Sequence, residues 1–239
     1  MAGTGTTTGT IITITTMTTE QFARLLAWTS PAYPVGAYTY SHGIESAVED
    51  GAVPDAASLA AYIRAVLCDG AGRVDGALCA AAISAADDAA LDEVAELAFA
   101  WRGTAETALE SGAQGSAFGL VTLAAWPDGR LAAFCARHTK RLAHAAVFGA
   151  ACRFAGIPAP DAVFAYLSAF AANLTSAGVR LVPLGQTDGQ RVTAGLLPDI
   201  IAATEAALAA DLDTLGTATP MLDLFSMRHE TQYTRLFRS

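Results

Sequence analysis

The chain has 239 residues and a formal net charge of −9 at pH 7, and Lys140 is its only lysine. This acidic balance excludes the basic surface by which proteins bind nucleic acids. Hydrophobic residues make up 53% of the sequence, and many are alanine, which is the best helix former and adds little buried area per residue. The composition therefore predicts closely packed helices, and the length suits one large domain or two small ones.

The uncharged run at 162–179 has 18 residues, which is close to the lower limit for crossing a bilayer. It contains Ser168 and Asn173 and ends at Arg180, so we interpret it as a buried core helix and predict no membrane partner. The first charged residue is Glu20, whereas a secretory signal begins with a basic segment. The four cysteines form no C-x-x-C pair and are typical of buried thiols in a cytosolic chain. We therefore expect a cytoplasmic protein.

The N-terminal part of the chain divides into a leader and a first helix. Residues 1–17 form a Thr/Gly tract, which we expect to be a low-complexity, disordered leader. Thr18 and Gln21 fit a capping box at the start of a short helix. The Pro- and Gly-containing segment 30–36 breaks that helix, and a second helix is expected from about residue 41 to residue 50.

The rest of the chain follows a helical pattern. A helix is predicted to start at Pro54–Asp55 and to carry apolar residues at helical spacing up to Leu67. Further helices are predicted at 74–86, 89–111, 115–125, 131–156, 160–181 and 198–214, with a loop at 184–190. No linker separates domains, so the sequence predicts one all-α domain at 18–226, a bundle of roughly eight to ten helices, followed by a C-terminal tail at 227–239.

The C-terminal tail differs from the acidic body in its charge. It has a single acid, Glu230, among alternating basic and apolar residues. These are Arg228, Arg235 and Arg238, interleaved with Tyr233, Leu236 and Phe237. Arginine and aromatic residues are enriched where proteins bind one another most tightly, so the tail is a candidate interface anchor. The alternative is a terminus that folds back on its own body.

The sequence offers little catalytic chemistry. A phosphate-binding loop needs a Gly-Lys pair, and Lys140 follows threonine. His138 and His144 are six residues apart and would face different sides of a helix, so they predict no metal site. His42 and Glu45 share a helix face at i, i+3 and are the strongest candidate for a catalytic or metal-binding pair; the alternative is a local hydrogen bond. We predict no catalytic residue, metal ligand or cofactor.

Three segments, in order, resemble the UreF family of urease accessory proteins. The first is L-L-A-W-T-S-P-A-Y-P-V-G-A-Y-T-Y-S-H-G-I-E at residues 25–45, and the second is N-L-T-S-A-G-V-R-L-V-P-L-G-Q-T-D-G-Q-R at residues 173–191. The third is the tail, M-R-H-E-T-Q-Y-T-R-L-F-R-S, at residues 227–239. The ordered set covers residues 25–239 and leaves only the Thr-rich leader outside it.

The resemblance to UreF implies an all-α homodimer without catalytic activity of its own. It also implies a scaffold between the accessory protein UreD, also called UreH, and the GTPase UreG. That assembly delivers nickel to the apo-urease complex and couples delivery to GTP hydrolysis. An alternative role is regulation of the UreG GTPase, which the protein would either restrain or activate by supplying an arginine or polar residue.

The resemblance also implies roles for three sets of residues. The set expected to bind UreD comprises Arg228, His229, Glu230, Tyr233, Arg235, Phe237 and Arg238. The set expected on the UreG-facing or dimer surface comprises Pro34, Gly36, Tyr38, Tyr40, His42 and Glu45, which alternatively only shape the entry into the second helix. The set expected to line a polar passage or to lock the dimer comprises Arg180, Gln186, Asp188 and Arg191.

Overall fold

Residues 17–239, which the computed structural model of the chain describes, form twelve α-helices and two short 3₁₀ helices, with no β-strand among them. The α-helices are α1 Thr19–Trp28, α2 Ile44–Glu49, α3 Ala56–Cys68, α4 Ala71–Ser84, α5 Asp88–Ala100, α6 Ala105–Ala125, α7 Gly129–Arg137, α8 His144–Ala155, α9 Ala159–Leu181, α10 Gln186–Gly195, α11 Leu197–Leu208 and α12 Pro220–His229. The 3₁₀ helices are Ala37–Thr39 and Leu212–Thr214. The prediction of one all-α domain is confirmed.

The helix count exceeds the predicted eight to ten because the predicted helix at 131–156 is two helices, α7 and α8, and because α10 and α12 were not predicted. The predicted break between 111 and 115 also lies elsewhere, which moves a boundary without adding a helix. The chain breaks at 101–104, where Thr104 caps α6 and its side chain accepts a hydrogen bond from the Thr107 N–H. It also breaks at 138–143, between α7 and α8, and Lys140 has a φ of 71° there. The predicted loop at 184–190 is instead the start of α10.

The predicted domain limits at 17/18 and 226/227 can be compared with the helices at the two ends of the described chain. The capping box at Thr18 and Gln21 is present at the start of α1, as predicted. The leader at 1–17 lies outside the described residues apart from Met17. At the other end, α12 runs through the predicted boundary between body and tail at 226/227, so the tail begins as part of a helix.

The core lies where α4 packs against α8, α9 and α11. Gly149 of α8 lies so close to α4 that a Cβ there would be 2.8 Å from the Cys79 carbonyl oxygen, and the small residue is what permits this close packing. The four cysteines are free thiols. Helix α9 is long and apolar enough to cross a membrane, but it packs against α3, α4, α10 and α11, which supports the interpretation of a core helix.

Three elements position the candidate site. The short helix α2 packs against both α9 and α12, and α12 also packs against α6. These contacts place acidic residues of α2 and α6 on either side of the end of α12. The C-terminal residues of the chain therefore meet a surface built from two distant parts of the sequence.

Candidate functional site

The C-terminal residues fold back onto the helical body, which is the second of the two interpretations of the tail. After α12 ends at His229, the chain turns and runs beside the segment that precedes α2. The Arg238 N–H donates to the Thr39 carbonyl at 2.7 Å, and the Ser41 N–H donates to the Ser239 carbonyl at 2.6 Å. We refer to residues 228–239 in this conformation as the docked tail.

The docked tail is anchored by a histidine between two acids. His229 has no exposed surface. Its Nδ1 lies 2.6 Å from Oε2 of Glu106 in α6, and its Nε2 lies 2.9 Å from Oε2 of Glu45 in α2. Both ring nitrogens are therefore used in joining the end of α12 to two other helices.

Glu45 also holds the backbone of the tail. Its carboxylate accepts the Leu236 N–H at 2.6 Å and the Phe237 N–H at 3.0 Å. The candidate pair His42 and Glu45 does not share a helix face, because His42 precedes α2 and has a left-handed backbone with a φ of 53°. Its Nδ1 instead lies 3.3 Å from Glu110 of α6.

Two acids of α6 that the sequence analysis missed complete the tail-binding surface. The buried Glu106 accepts a hydrogen bond from Arg235 at 3.2 Å, and burial raises its pKa although His229 and Arg235 oppose this. Glu110, one turn further along, faces His42 and the Ser239 hydroxyl. Like charges at i, i+4 repel each other on a helix. The spacing of Glu106 and Glu110 could therefore have indicated that basic groups lie near both carboxylates.

His42 is charged more readily than an ordinary histidine. Burial by itself would lower the pKa of His42, but the hydrogen bond and the charge of Glu110 outweigh it and leave the pKa raised. Because Glu110 also accepts the Ser239 hydroxyl at 3.2 Å, His42 supports the last residue of the docked tail through this shared carboxylate.

Arg180 brings the three family-like segments together. Its guanidinium carbon lies 4.2 Å from the centre of the Phe237 ring, a distance at which a cation is attracted to an aromatic face. The same guanidinium donates to the Tyr38 carbonyl at 2.7 Å. Phe237 is only 4% exposed, so Arg180 covers a buried part of the tail.

The outer side of the docked tail is open. The Tyr233 side chain is fully exposed, and Leu236 is 65% exposed. Arg228 pairs with Asp50 at the surface, and Glu230 is exposed. The tail thus has a buried inner side, which includes His229 and Phe237, and an outer side with unpaired apolar groups.

A cleft of about 960 Å³ lies beside the tail-binding surface. Apolar residues line one part of it, including Phe22, Leu26 and Phe164. The polar part contains Asp75 and Arg102, which form an ion pair of 2.9 Å, with His42, Glu110, Gln114 and His144. Burial lowers the pKa of His144 to about 4, so its imidazole is neutral at pH 7. In the described part of the chain, no three His, Cys, Asp or Glu side chains are grouped as a metal site.

The predicted N-terminal set has both exposed and buried members. Pro34 is exposed and Tyr38 is 64% exposed. Gly36 has a φ of 76°, a conformation that favours glycine, and it starts the first 3₁₀ helix. Tyr40 is buried, and burial raises its pKa although the charge of Arg238 opposes this. The surface role of this set, towards UreG or in a dimer, stays a prediction.

The second predicted set is divided between the cleft and the surface. Arg180 and Gln186 both line the cleft. Asp188 caps α10 by accepting the Gly185 N–H at 3.3 Å, and it also accepts a hydrogen bond from Arg191 at 2.9 Å. The Arg191 side chain is 75% exposed. A role of this set in a polar passage or in a dimer stays a prediction.

A comparison with family models identifies the family of the chain. The family model described as UreF matches residues 53–197, which is more than half of the chain. The chain belongs to the UreF family. The matched range contains the second segment, whereas the first segment and the docked tail lie on either side of it.

Similar proteins extend the UreF match towards both ends. The chain is 64% identical over 219 residues to the urease accessory protein UreF of Granulibacter bethesdensis, covering 90% of this chain and 93% of that protein. The urease accessory proteins UreF of Rhodopseudomonas palustris and Methylorubrum populi are each 50% identical over 219 residues. The match covers 90% of this chain in both cases, with 90% of the former protein and 98% of the latter. As a member of the UreF family, the chain is a urease accessory protein involved in urease maturation.

Proposed function

We propose that this chain is a non-catalytic scaffold of urease maturation in the cytoplasm. It bridges UreD (UreH) and the GTPase UreG, as part of an assembly with apo-urease that inserts nickel when GTP is hydrolysed. Nickel is the cargo of this assembly. The observation that carries the proposal is the two-sided tail, which is fixed to the body on its inner side and presents apolar groups on its outer side.

The outer side of the tail is the proposed UreD-binding surface. Tyr233 and Leu236 are exposed, and tyrosine supplies a large contact area with a polar end, as residues at binding hot spots do. The segment between them is held by the Arg235 side chain, which donates to Glu106, and by the Leu236 N–H, which donates to Glu45. A segment already fixed in position loses less conformational entropy when a partner binds.

The N-terminal set gives the proposed second interface. Pro34 and Tyr38 are exposed, and Arg180 connects the Tyr38 carbonyl to Phe237 of the docked tail. We place UreG, or a second copy of this chain in a homodimer, on this surface. Contact between the two surfaces through Arg180 would let the bound UreD influence the UreG side.

Co-purification with the UreD and UreG of the same organism tests the proposal. The informative variant is the double substitution Tyr233→Ser and Leu236→Ser, since both side chains are exposed and their loss leaves the inner contacts in place. The matched control is Leu120→Ser, which removes a side chain that is 74% exposed on α6. We expect the double variant to lose UreD by at least about tenfold in affinity, and the control to retain it.

Two results would contradict this assignment. Equal UreD binding by the double variant and the wild type would remove the tail as the binding site. Failure of the wild-type chain to bind UreD or UreG would contradict the scaffold itself. Ending the chain at Met227 is a less specific test, because it also removes His229 from between two buried carboxylates.

Measurement of GTP turnover by UreG distinguishes the scaffold from the alternative role, regulation of the UreG GTPase. A passive scaffold leaves the GTP turnover of UreG unchanged in the isolated complex, while nickel insertion rises in proportion to the complex formed. A change in the GTP turnover of UreG when the chain is added, in the absence of apo-urease, would favour the regulator.

A further inference from the structure

The cleft has an exposed apolar surface between α1 and α9. Phe22 and Leu26 lie one turn apart on α1, and Phe164 belongs to α9. All three side chains are exposed and line the cleft, and we call them the apolar wall. Large apolar side chains that share one concave surface indicate a binding site.

Small residues of α9 continue the surface beside the apolar wall. They recur at helical spacing on one face of the helix and extend over about 16 Å of its length. These residues are Ala165, Ser168, Ala169, Ala172 and Ser176, which all line the cleft. An extended segment rises about 3.3 Å per residue, so this face of α9 is long enough for about five residues of such a segment.

Two buried polar groups favour an occupant that forms hydrogen bonds. Trp28 and Thr175 line the cleft and are 5% and 4% exposed. Within the described residues, neither the Trp28 Nε1 nor the Thr175 Oγ1 has a hydrogen-bond partner, and leaving such a buried group unpaired is costly. A wholly apolar occupant would not remove this cost, whereas a peptide segment brings carbonyl and N–H groups.

A segment of suitable length directly precedes α1. The leader residues 1–16, which are not among the described residues, lead into Met17, and Met17 itself lines the cleft. Because an extended chain spans about 3.3 Å per residue, Ile11 can lie up to about 20 Å from Met17. Helix α1 has ten residues and is about 15 Å long. The segment 11–16 can therefore reach along the whole of α1.

The composition of this segment suits the apolar wall. Residues 11–16 are I-I-T-I-T-T, and β-branched residues favour an extended backbone. In an extended segment, Ile12 and Ile14 would face one side, and Ile11 and Thr13 would face the other. One side of the segment would thus present two isoleucines to the cleft.

Charge favours the leader over a second copy of the chain as the occupant. The first charged side chain is Glu20, so the net charge of −9 belongs to residues beyond the leader. Two bodies of this charge repel each other, whereas the segment 11–16 has no charged side chain. The leader is also tethered beside the cleft, which gives it a high effective concentration there.

We propose that the segment 11–16 binds the cleft of its own chain, with Ile12 and Ile14 against the apolar wall and its backbone paired with Trp28 and Thr175. The bound segment covers apolar surface that would otherwise be open to association with other molecules. It restricts the predicted disorder of the leader to residues 1–10. This inference concerns the chain alone and does not depend on UreD or UreG.

NMR contacts of isoleucine methyl groups in the full chain test the binding directly. We expect nuclear Overhauser effects from the δ1 methyls of Ile12 and Ile14 to ring protons of Phe22 or Phe164. Mixing of labelled and unlabelled copies separates contacts within one chain from contacts between two chains. The absence of these contacts in the wild-type protein, or their presence only between different copies, would overturn the proposal.

Two matched double variants test which side of the segment binds. Ile12→Ser with Ile14→Ser removes the side assigned to the apolar wall, and Ile11→Ser with Thr13→Ser changes the opposite side. We expect the first pair to weaken docking by at least about tenfold, because burial of two isoleucines contributes more than this factor. The neutral apolar dye Nile red should then give stronger fluorescence with the first variant than with the wild type, and unchanged fluorescence with the control.

A third substitution shows where the dye binds. Phe164→Ser, added to Ile12→Ser and Ile14→Ser, alters an exposed side chain of the apolar wall and should remove the additional fluorescence. An increase that persists in this triple variant contradicts the proposed site. An equal response of the two double variants contradicts the proposed orientation, in which Ile12 and Ile14 face the wall.

Discussion

At the scale of single residues, the carboxylate of Glu45 joins α2, α12 and the tail. It accepts the N–H groups of Leu236 and Phe237 and lies 2.9 Å from Nε2 of His229, and its residue is only 7% exposed. Removal of one partner from a buried, charge-paired group is strongly destabilising, because the remaining charge keeps its desolvation cost without compensation. The stability of the whole tail region therefore depends on this residue.

Glu45→Ala is expected to lower the free energy of unfolding by about 3–5 kcal/mol. The control is Glu49→Ala in the same helix, where the side chain is exposed, and a change within about 0.5 kcal/mol is expected. Urea denaturation of both variants measures the difference. Equal free energies for the two variants would show that Glu45 does not hold the tail.

The buried His144 is expected to make the free energy of unfolding fall at acidic pH. Burial lowers its pKa from 6.5 to about 4, so the folded protein favours the neutral ring. The contribution of His144 to stability is complete above pH 6.5 and is lost as pH falls towards 4, by up to about 3 kcal/mol. Urea unfolding of the wild type and of His144→Gln at about pH 7.5 and pH 5 should show a smaller loss in the variant. Parallel losses would exclude His144 as the cause.

Sequence reasoning identified the residues of the tail-binding surface only in part. The 227–239 segment was identified from its composition, but its inner partners Glu106 and Glu110 lie more than a hundred residues away. The i, i+3 spacing of His42 and Glu45 was misleading, because the left-handed backbone at His42 turns it towards Glu110. Local spacing gives contacts within a helix, whereas these pairs depend on how α2, α6 and α12 pack together.

At the scale of helices, two glycines of α6 have different roles. A Cβ on Gly115 would overlap the Leu142 carbonyl in the segment between α7 and α8, while a Cβ on Gly112 would meet nothing within 4 Å. Gly115 therefore permits the close approach of two backbones, and Gly112 only lowers helix propensity. The same helix thus provides a test and its own control.

Gly115→Ala is expected to destabilise the protein by at least about 1–3 kcal/mol, since the backbone at Leu142 must move. Gly112→Ala is expected to stabilise it by up to about 1 kcal/mol, because alanine has the higher helix propensity. Thermal unfolding of the two variants measures both changes. Stabilisation by both substitutions would contradict the close contact between α6 and the segment at 138–143.

Helix boundaries were predictable where local residues set them, and were missed where distant residues set them. The start of α1 was predicted because the two residues of its capping box, Thr18 and Gln21, lie within one helical turn. The end of α7 was missed because 138–143 contains neither proline nor glycine. There the chain is held by partners distant in sequence, including Asp92, which lies 2.7 Å from His138, and the backbone of α6 at Gly115.

At the scale of the whole molecule, the docked tail makes the C-terminus part of the folded body. Phe237 and Ser239 are buried, and Ser41 and Thr39 hydrogen-bond the last two residues. Composition and helical spacing predicted the all-α domain, but they did not show that the chain ends against its own N-terminal part. That closure arises from contacts across nearly two hundred residues of sequence.

Deletion of residues 228–239 is therefore expected to reduce the stability of the body as well as to remove an exposed surface. The deletion leaves Glu45 and Glu106 without His229, so we expect a fall in the melting temperature of at least about 5 °C. The double substitution Tyr233→Ser and Leu236→Ser is expected to change it by less than about 2 °C. Calorimetry of the three proteins makes the comparison, and an unchanged melting temperature after deletion would contradict a structural role of the tail.

The contacts of Arg180 with both Tyr38 and Phe237 determine which segments could be exchanged between related proteins. One guanidinium contacts the Phe237 ring and the Tyr38 carbonyl, so three segments distant in sequence share one junction. A tail transplanted from a relative will dock only if its aromatic residue fits the Arg180 and Glu45 already present in the recipient. Chimaeras of this protein should therefore exchange the 25–45, 173–191 and 227–239 segments together.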